Sequence, residues 1–139
     1  MRRIKRTVLL SAIAVVLVLS ACLVYGYGNQ AVGSIEEVDT KGINYISPSK
    51  SNASATTTTN IEGYPYPLAA DTYVEATFYW VNYFDDQMDT VYLAGGGRSA
   101  STVSPDTVTN RLYYKVISNH YVWYGQGSWS SLNLTTVAQ

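Results

Sequence analysis

From Thr72 to Phe84 the chain reads TYVEATFYWVNYF, and its side chains separate by parity. Val74, Ala76, Phe78, Trp80 and Phe84 fall on one side, and Tyr73, Glu75, Thr77, Tyr79, Val81 and Tyr83 on the other. A two-residue period in β-branched and aromatic residues is the signature of a long strand with one face in a core, because helical side chains repeat every 3.6 residues. Asn82 interrupts the alternation near its end.

The segments that follow extend the same reading. Asp85 to Asp89 forms a hairpin loop into a strand at Thr90–Ala94, and Gly95–Arg98 interrupts or bulges that strand before Ser99–Val103 continues it. Ser104–Thr107 is a proline-containing turn. A second long strand runs from Val108 to about Ser118, with Leu112, Tyr114 and Val116 on one side and Tyr113, Lys115 and Ile117 on the other. HYVWYG and SWSSLNLTTV form a closing hairpin about Gly125-Gln126-Gly127. No segment after residue 28 has helical periodicity and no internal repeat is present. The expected fold is all-β, a small antiparallel sandwich or barrel behind an N-terminal signal or transmembrane helix.

Upstream, residues 29–47 read as an extended lead-in, with SIEEV and INYIS flanking a hairpin turn at Asp39-Thr40-Lys41-Gly42. Ser47 to Asn60 is rich in Ser and Thr and nearly free of large apolar residues, so it reads as a surface stalk. Pro65 and Pro67 favour an extended entry into the domain. The expected division is 1–28 as signal or anchor, 29–61 as lead-in and Ser/Thr-rich linker, and 62–139 as the β domain.

The N-terminus carries Arg2, Arg3, Lys5 and Arg6 ahead of an uncharged run from Thr7 to Tyr25. This is the layout of an export segment with a cytoplasmic start. Leu19, Ser20, Ala21 and Cys22 resemble the lipobox of bacterial lipoproteins. The resemblance implies a cut before Cys22 and a lipid on its thiol, and covers nothing of the domain behind it. Two other readings stay open: an ordinary signal cut after Gly26, and an uncleaved anchor, since Thr7–Tyr25 nearly matches the ~20 residues that cross a bilayer as a helix. All three place residues after 28 outside the cytoplasm, on a membrane-anchored or secreted protein.

The formal net charge of −1 hides a split. Five of the nine Lys and Arg and all ten Asp and Glu lie at or after Cys22, a balance of −5 that gives no reason to bind nucleic acid. One cysteine excludes an internal disulfide and one histidine excludes the usual zinc patterns. Stability must therefore come from packing, and the 13 Tyr, 3 Trp and 2 Phe supply the material for it.

Candidate sites are few. Asp85, Asp86 and Asp89 gather carboxylates in one loop, the oxygen chemistry Ca²⁺ takes, without the spacing of an EF-hand; the ordinary alternative is a solvated hairpin tip. GGGRS lacks the lysine of a phosphate loop and reads as a glycine bulge. His120 has no recognisable nucleophile motif beside it and reads as a strand-end histidine bonded to backbone or water. Asn52 and Asn133 begin N-x-S/T sequons. Tyr73, Tyr79 and Tyr83 share the outer parity of the Thr72 strand, and Tyr113 and Tyr121 recur beyond it. Such rows stack on sugars or pack on a partner, or are covered by a second layer.

The expectation is a non-enzymatic, membrane-tethered surface protein whose β domain binds a surface protein or glycan, with no cofactor beyond a Ca²⁺ candidate. An alternative is a self-assembling filament subunit in which residues 29–60 add a strand to a neighbour's sheet. A secreted hydrolase is third.

Overall fold

The computed structural model describes residues 26–60 and 70–139. These residues are all-β: two four-stranded antiparallel sheets packed face to face. In chain order the strands are β1 (Tyr27–Ile35), β2 (Val38–Ile46), β3 (Ala53–Asn60), β4 (Asp71–Asn82), β5 (Met88–Arg98), β6 (Ala100–Val103), β7 (Arg111–Tyr124) and β8 (Gly127–Val137). The first sheet has the order β1-β2-β3-β6, the second β5-β4-β7-β8. No helix occurs among the described residues, and so none long and apolar enough to cross a membrane. The Thr7–Tyr25 run and Cys22 lie outside them.

The strand expected from Thr72 to Phe84 is β4, at the centre of the second sheet. Thr72, Val74, Ala76 and Phe78 are buried, while Phe84 has left the strand and faces solvent. The closing hairpin turns where the glycines placed it, at Gly125-Gln126. Its first arm is longer than the sequence suggested, because Arg111–Ser118 and His120–Tyr124 belong to one continuous strand, β7, while Val108–Asn110 lie in the loop before it. A bulge within it changes the faces: Trp80 pairs with Tyr113 but Tyr79 with Lys115, so Tyr114 is the extra residue. Tyr113 and Val116, of opposite parity, therefore both enter the core.

Three upstream expectations are corrected. The Ser/Thr-rich stretch is not a stalk: Ala53–Asn60 is β3, hydrogen-bonded between β2 and β6 inside the first sheet. Threonine is β-branched and suits a strand, and the inward positions Ala53, Ala55 and Thr57 are small enough to face the large Phe78 and Tyr113 across the sandwich. The lead-in is a hairpin, but its turn is Glu36-Glu37, and Asp39–Gly42 lie within β2. Residues 27–60 are thus part of the domain rather than a linker ahead of it.

Gly95–Gly97 do not bulge either. They continue the β4–β5 ladder opposite Val74, Tyr73 and Thr72. The break falls at Ser99, whose φ of 66° turns the chain out of the second sheet and into the first. Its amide donates to the Ala70 carbonyl at 2.8 Å, and its carbonyl accepts from the Thr59 amide at 2.9 Å. Gly97 makes the crossing passable, because a Cβ there would run into the Ala100 carbonyl oxygen. Gly97→Ala is expected to destabilise the domain by about 1–3 kcal/mol, as forced overpacking does, measurable as a lowered urea midpoint.

Candidate functional site

The outer face of the second sheet carries an aromatic row around a single carboxylate. Outward positions of β4 supply Tyr73, Glu75, Thr77 and Tyr79. β7 supplies Tyr114, Lys115, Asn119, Tyr121 and Trp123, and β5 supplies Tyr92. Glu75 sits opposite Asn119 in the register, and the Asn119 amide donates to its Oε1 at 2.8 Å. The Tyr121 hydroxyl donates to the same oxygen at 3.3 Å, and the Tyr92 hydroxyl to Oε2 at 2.8 Å.

These donors decide the charge of the site. The bonds from Asn119 and Tyr92 outweigh the cost of partial burial and hold the Glu75 carboxyl below the usual carboxylate range, with Tyr121 adding a smaller contribution. Donation to Glu75 in turn pushes Tyr92 up to about 12. Tyr121 is also raised, first by desolvation and then by the Glu75 charge. The carboxylate is therefore an anion held in place by hydroxyl groups, without a cation among its hydrogen-bond partners.

The rings extend from this point in both directions. Tyr73 and Tyr121, paired across β4 and β7, have centroids 6.1 Å apart, and Tyr121 lies parallel to Trp123 at 5.9 Å. Towards the other end Tyr79 and Tyr114 are 6.2 Å apart, and the Lys115 ammonium stands 5.0 Å over the Tyr79 ring. Tyr92 and Trp123 are 59% and 47% exposed, so the row is not covered by any described element. The face offers π surfaces, hydroxyl oxygens and one fixed negative charge.

The structure sorts the residues singled out in the sequence. Tyr73 and Tyr79 flank Glu75 on this face, whereas Tyr83 lies in the β4–β5 turn against Phe84. Tyr113 is in the core, turned inward by the bulge. Asp85, Asp86 and Asp89 do not converge: among the described residues no three acidic, His or Cys side chains could hold a metal ion. Asp85 instead accepts from the Gln87 amide at 3.2 Å and Asp89 from the Thr90 amide at 2.7 Å, the ordinary work of turn carboxylates. Asn119, Tyr92, Tyr114 and Trp123 were missed. Tyr121 and Trp123 share one strand parity and could have been found by it. Tyr92 and Asn119 join only through pairing across three strands.

His120 is neither at a strand end nor bonded to backbone or water. It is fully buried in the middle of β7, between the sheets. Its Nδ1 lies 2.8 Å from Thr57 Oγ1, a hydroxyl whose single proton has two acceptors in reach, the ring nitrogen and the Tyr73 carbonyl oxygen at 3.1 Å. Its Nε2 lies 2.7 Å from Ser118 Oγ, which donates to Asn44 Oδ1 at 2.6 Å, and the Asn44 amide donates to the Leu134 carbonyl at 2.7 Å. The ring packs on Gly42, where a Cβ would come within 2.5 Å of it. Serine and histidine are in contact here, but solvent and substrate have no access, so the arrangement is a structural joint.

Burial pushes the His120 imidazole down from 6.5 to about 4. The unfolded chain then binds more protons than the folded one between those values, so stability is complete above pH 6.5 and is lost as the pH falls through the window, by about 3 kcal/mol in all. NMR titration of the His120 ring in the folded protein, with urea unfolding at both ends of the window, measures it; a ring titrating near 6.5 would refute the shift. On the outer face, Glu75→Gln is expected to return Tyr92 ionisation from about 12 towards 10.0, read as tyrosinate absorbance on alkaline titration.

A concavity of about 440 Å³ lies elsewhere, over Val32, Ser34, Asp39, Lys41 and Thr58 on the first sheet, beside Asn60. No protein-family model matches the chain, and no curated protein or solved structure is significantly similar to it.

Proposed function

We propose that this is a non-enzymatic surface protein, tethered to a membrane through its N-terminal segment, whose β-sandwich binds a glycan or a surface protein through the outer face of the second sheet. The observation that carries the reading is the uncovered row of Tyr73, Tyr121 and Trp123 beside the hydrogen-bonded Glu75. Rings in an open row give large contact area at low entropic cost, and a carboxylate ringed by hydroxyls accepts hydrogen bonds from sugar or peptide donors. That residues 27–60 are paired within this chain's own sheet favours the binding reading over the filament alternative.

A glycan array and a cell-surface binding assay test the proposal with the intact protein. Trp123→Ala and Tyr121→Ala are each expected to weaken binding at least about tenfold, as loss of an interface hot spot of 1.4 kcal/mol or more does, with the melting temperature little changed because both side chains face outward. Binding that survives both substitutions would remove this face from the proposal. Hydrolysis of an arrayed glycan would move the protein to the third class considered above.

A further inference from the structure

The strand register assigns every turn to one of two poles of the sandwich. β1 enters at Tyr27, which pairs with Ile46, which pairs with Ala53. The Tyr27 hydroxyl donates to the Gln139 carbonyl at 2.9 Å, and the Tyr113 amide to the Lys50 carbonyl at 2.7 Å. Asn82 pairs with Arg111, and the Tyr83 amide donates to the Asn110 carbonyl at 2.8 Å. The entering chain, the C-terminus and the β4–β5 turn therefore share one pole. The Glu36-Glu37 turn, the Ser99 crossing and the Gly125-Gln126 turn occupy the other.

At the entry pole the β4–β5 turn holds three large apolar side chains out in solvent: Tyr83, Phe84 and Met88 are 69%, 74% and 72% exposed. The turn that carries them is well fixed. The Asn82 amide donates to the Gln87 carbonyl at 2.8 Å, the Asp86 amide to the Asn82 carbonyl at 3.0 Å, and the Phe84 amide to Asn82 Oδ1 at 3.0 Å. Tyr83 and Phe84 meet edge to face at 5.7 Å, and Val108 of the neighbouring loop is also exposed. No core cluster uses these side chains, and a clustered apolar tip on a firm turn marks an interaction site.

The chain preceding Gly26 says what meets it. The uncharged run Thr7–Tyr25 ends at the residue before Gly26, and the four residue-to-residue steps from Cys22 to Gly26 span at most about 14 Å when extended. Whether the anchor is the lipidated cysteine or the run itself, the pole carrying the tip is held close to the bilayer. The geometry points to the Tyr83–Phe84–Met88 tip as a second membrane contact, seated in the interfacial layer of the bilayer that holds the N-terminal segment. This rests on the tethered reading above. Asp85, Asp86, Asp89 and Asp106 outnumber Lys50 and Arg111 in the segments at this pole, so the contact is apolar and needs no anionic lipid. Two contacts instead of one stand the strands upright and turn the aromatic face of the second sheet sideways.

The test uses the full-length chain in phosphatidylcholine nanodiscs containing lipids spin-labelled near the headgroup, with backbone amide signals read by NMR. The amides of residues 83–88 are expected to lose most of their intensity, while those of Glu36, Glu37 and Gly125 keep theirs. The triple variant Tyr83→Ser, Phe84→Ser, Met88→Ser should still float with phosphatidylcholine vesicles but lose the selective broadening. A chain that floats without selective broadening at 83–88 overturns the tip contact and leaves the tether standing; protection of the tip by a second copy, seen by cross-linking, does the same. A chain that fails to float overturns the tether, and the tip contact with it.

Discussion

The contacts from His120 to Thr57 and Ser118, extended to Asn44, hold the two sheets in one relation. They cross the sandwich at mid-height and divide the apolar core in two. Ile46, Ala55, Phe78, Tyr113 and Val116 lie on one side, and Ile35, Val38, Ala70 and Val122 on the other. A purely apolar interface would tolerate sliding, since one aliphatic contact replaces another at little cost. A hydrogen-bonded band does not, because a shift along either sheet leaves buried polar atoms unpaired, at about 1–3 kcal/mol each. The band also accounts for Gly42, the one inward position on β2 that leaves room for an imidazole ring.

With the sheets so fixed, the distribution of bulk follows. The first sheet presents Ala53, Ala55, Thr57 and Gly42 inward, and the second presents Phe78, Tyr113 and His120. Small faces large across the gap, as a close-packed interior requires. The second sheet keeps further rings for its outer surface, where Tyr73, Tyr79, Tyr121 and Trp123 are only partly covered by one another. Glu75 organises that surface much as His120 organises the interior, by collecting donors from β4's two neighbouring strands.

The second sheet was the legible half of the fold. Thr72–Val81 alternates, and the last hairpin is punctuated by glycines. The first sheet was not, because its inward residues from Thr40 to Asn44 and along β3 are alanine, threonine, asparagine and glycine, so hydropathy registers a linker where β-propensity would have registered a strand. The bulge at Tyr114 hid the inward face of Tyr113 by reversing parity within β7, as register defects do. For the candidate site, Tyr73 and Tyr79 were readable from their own strand. Glu75 gains its role only from Tyr92 and Asn119, which come 17 and 44 residues later in the chain.

The direction in which β1 enters has a mechanical consequence. It starts at Tyr27 and runs the length of the first sheet to Ile35, with every one of its residues paired to β2. A pull on the chain ahead of Tyr27, resisted by something gripping the far sheet, acts along the strand rather than across it. The rungs of the β1–β2 ladder then bear the load in shear and must give way together, whereas a pull from the Ile35 end would open them one by one. A domain hung by this end is mounted in its stronger orientation.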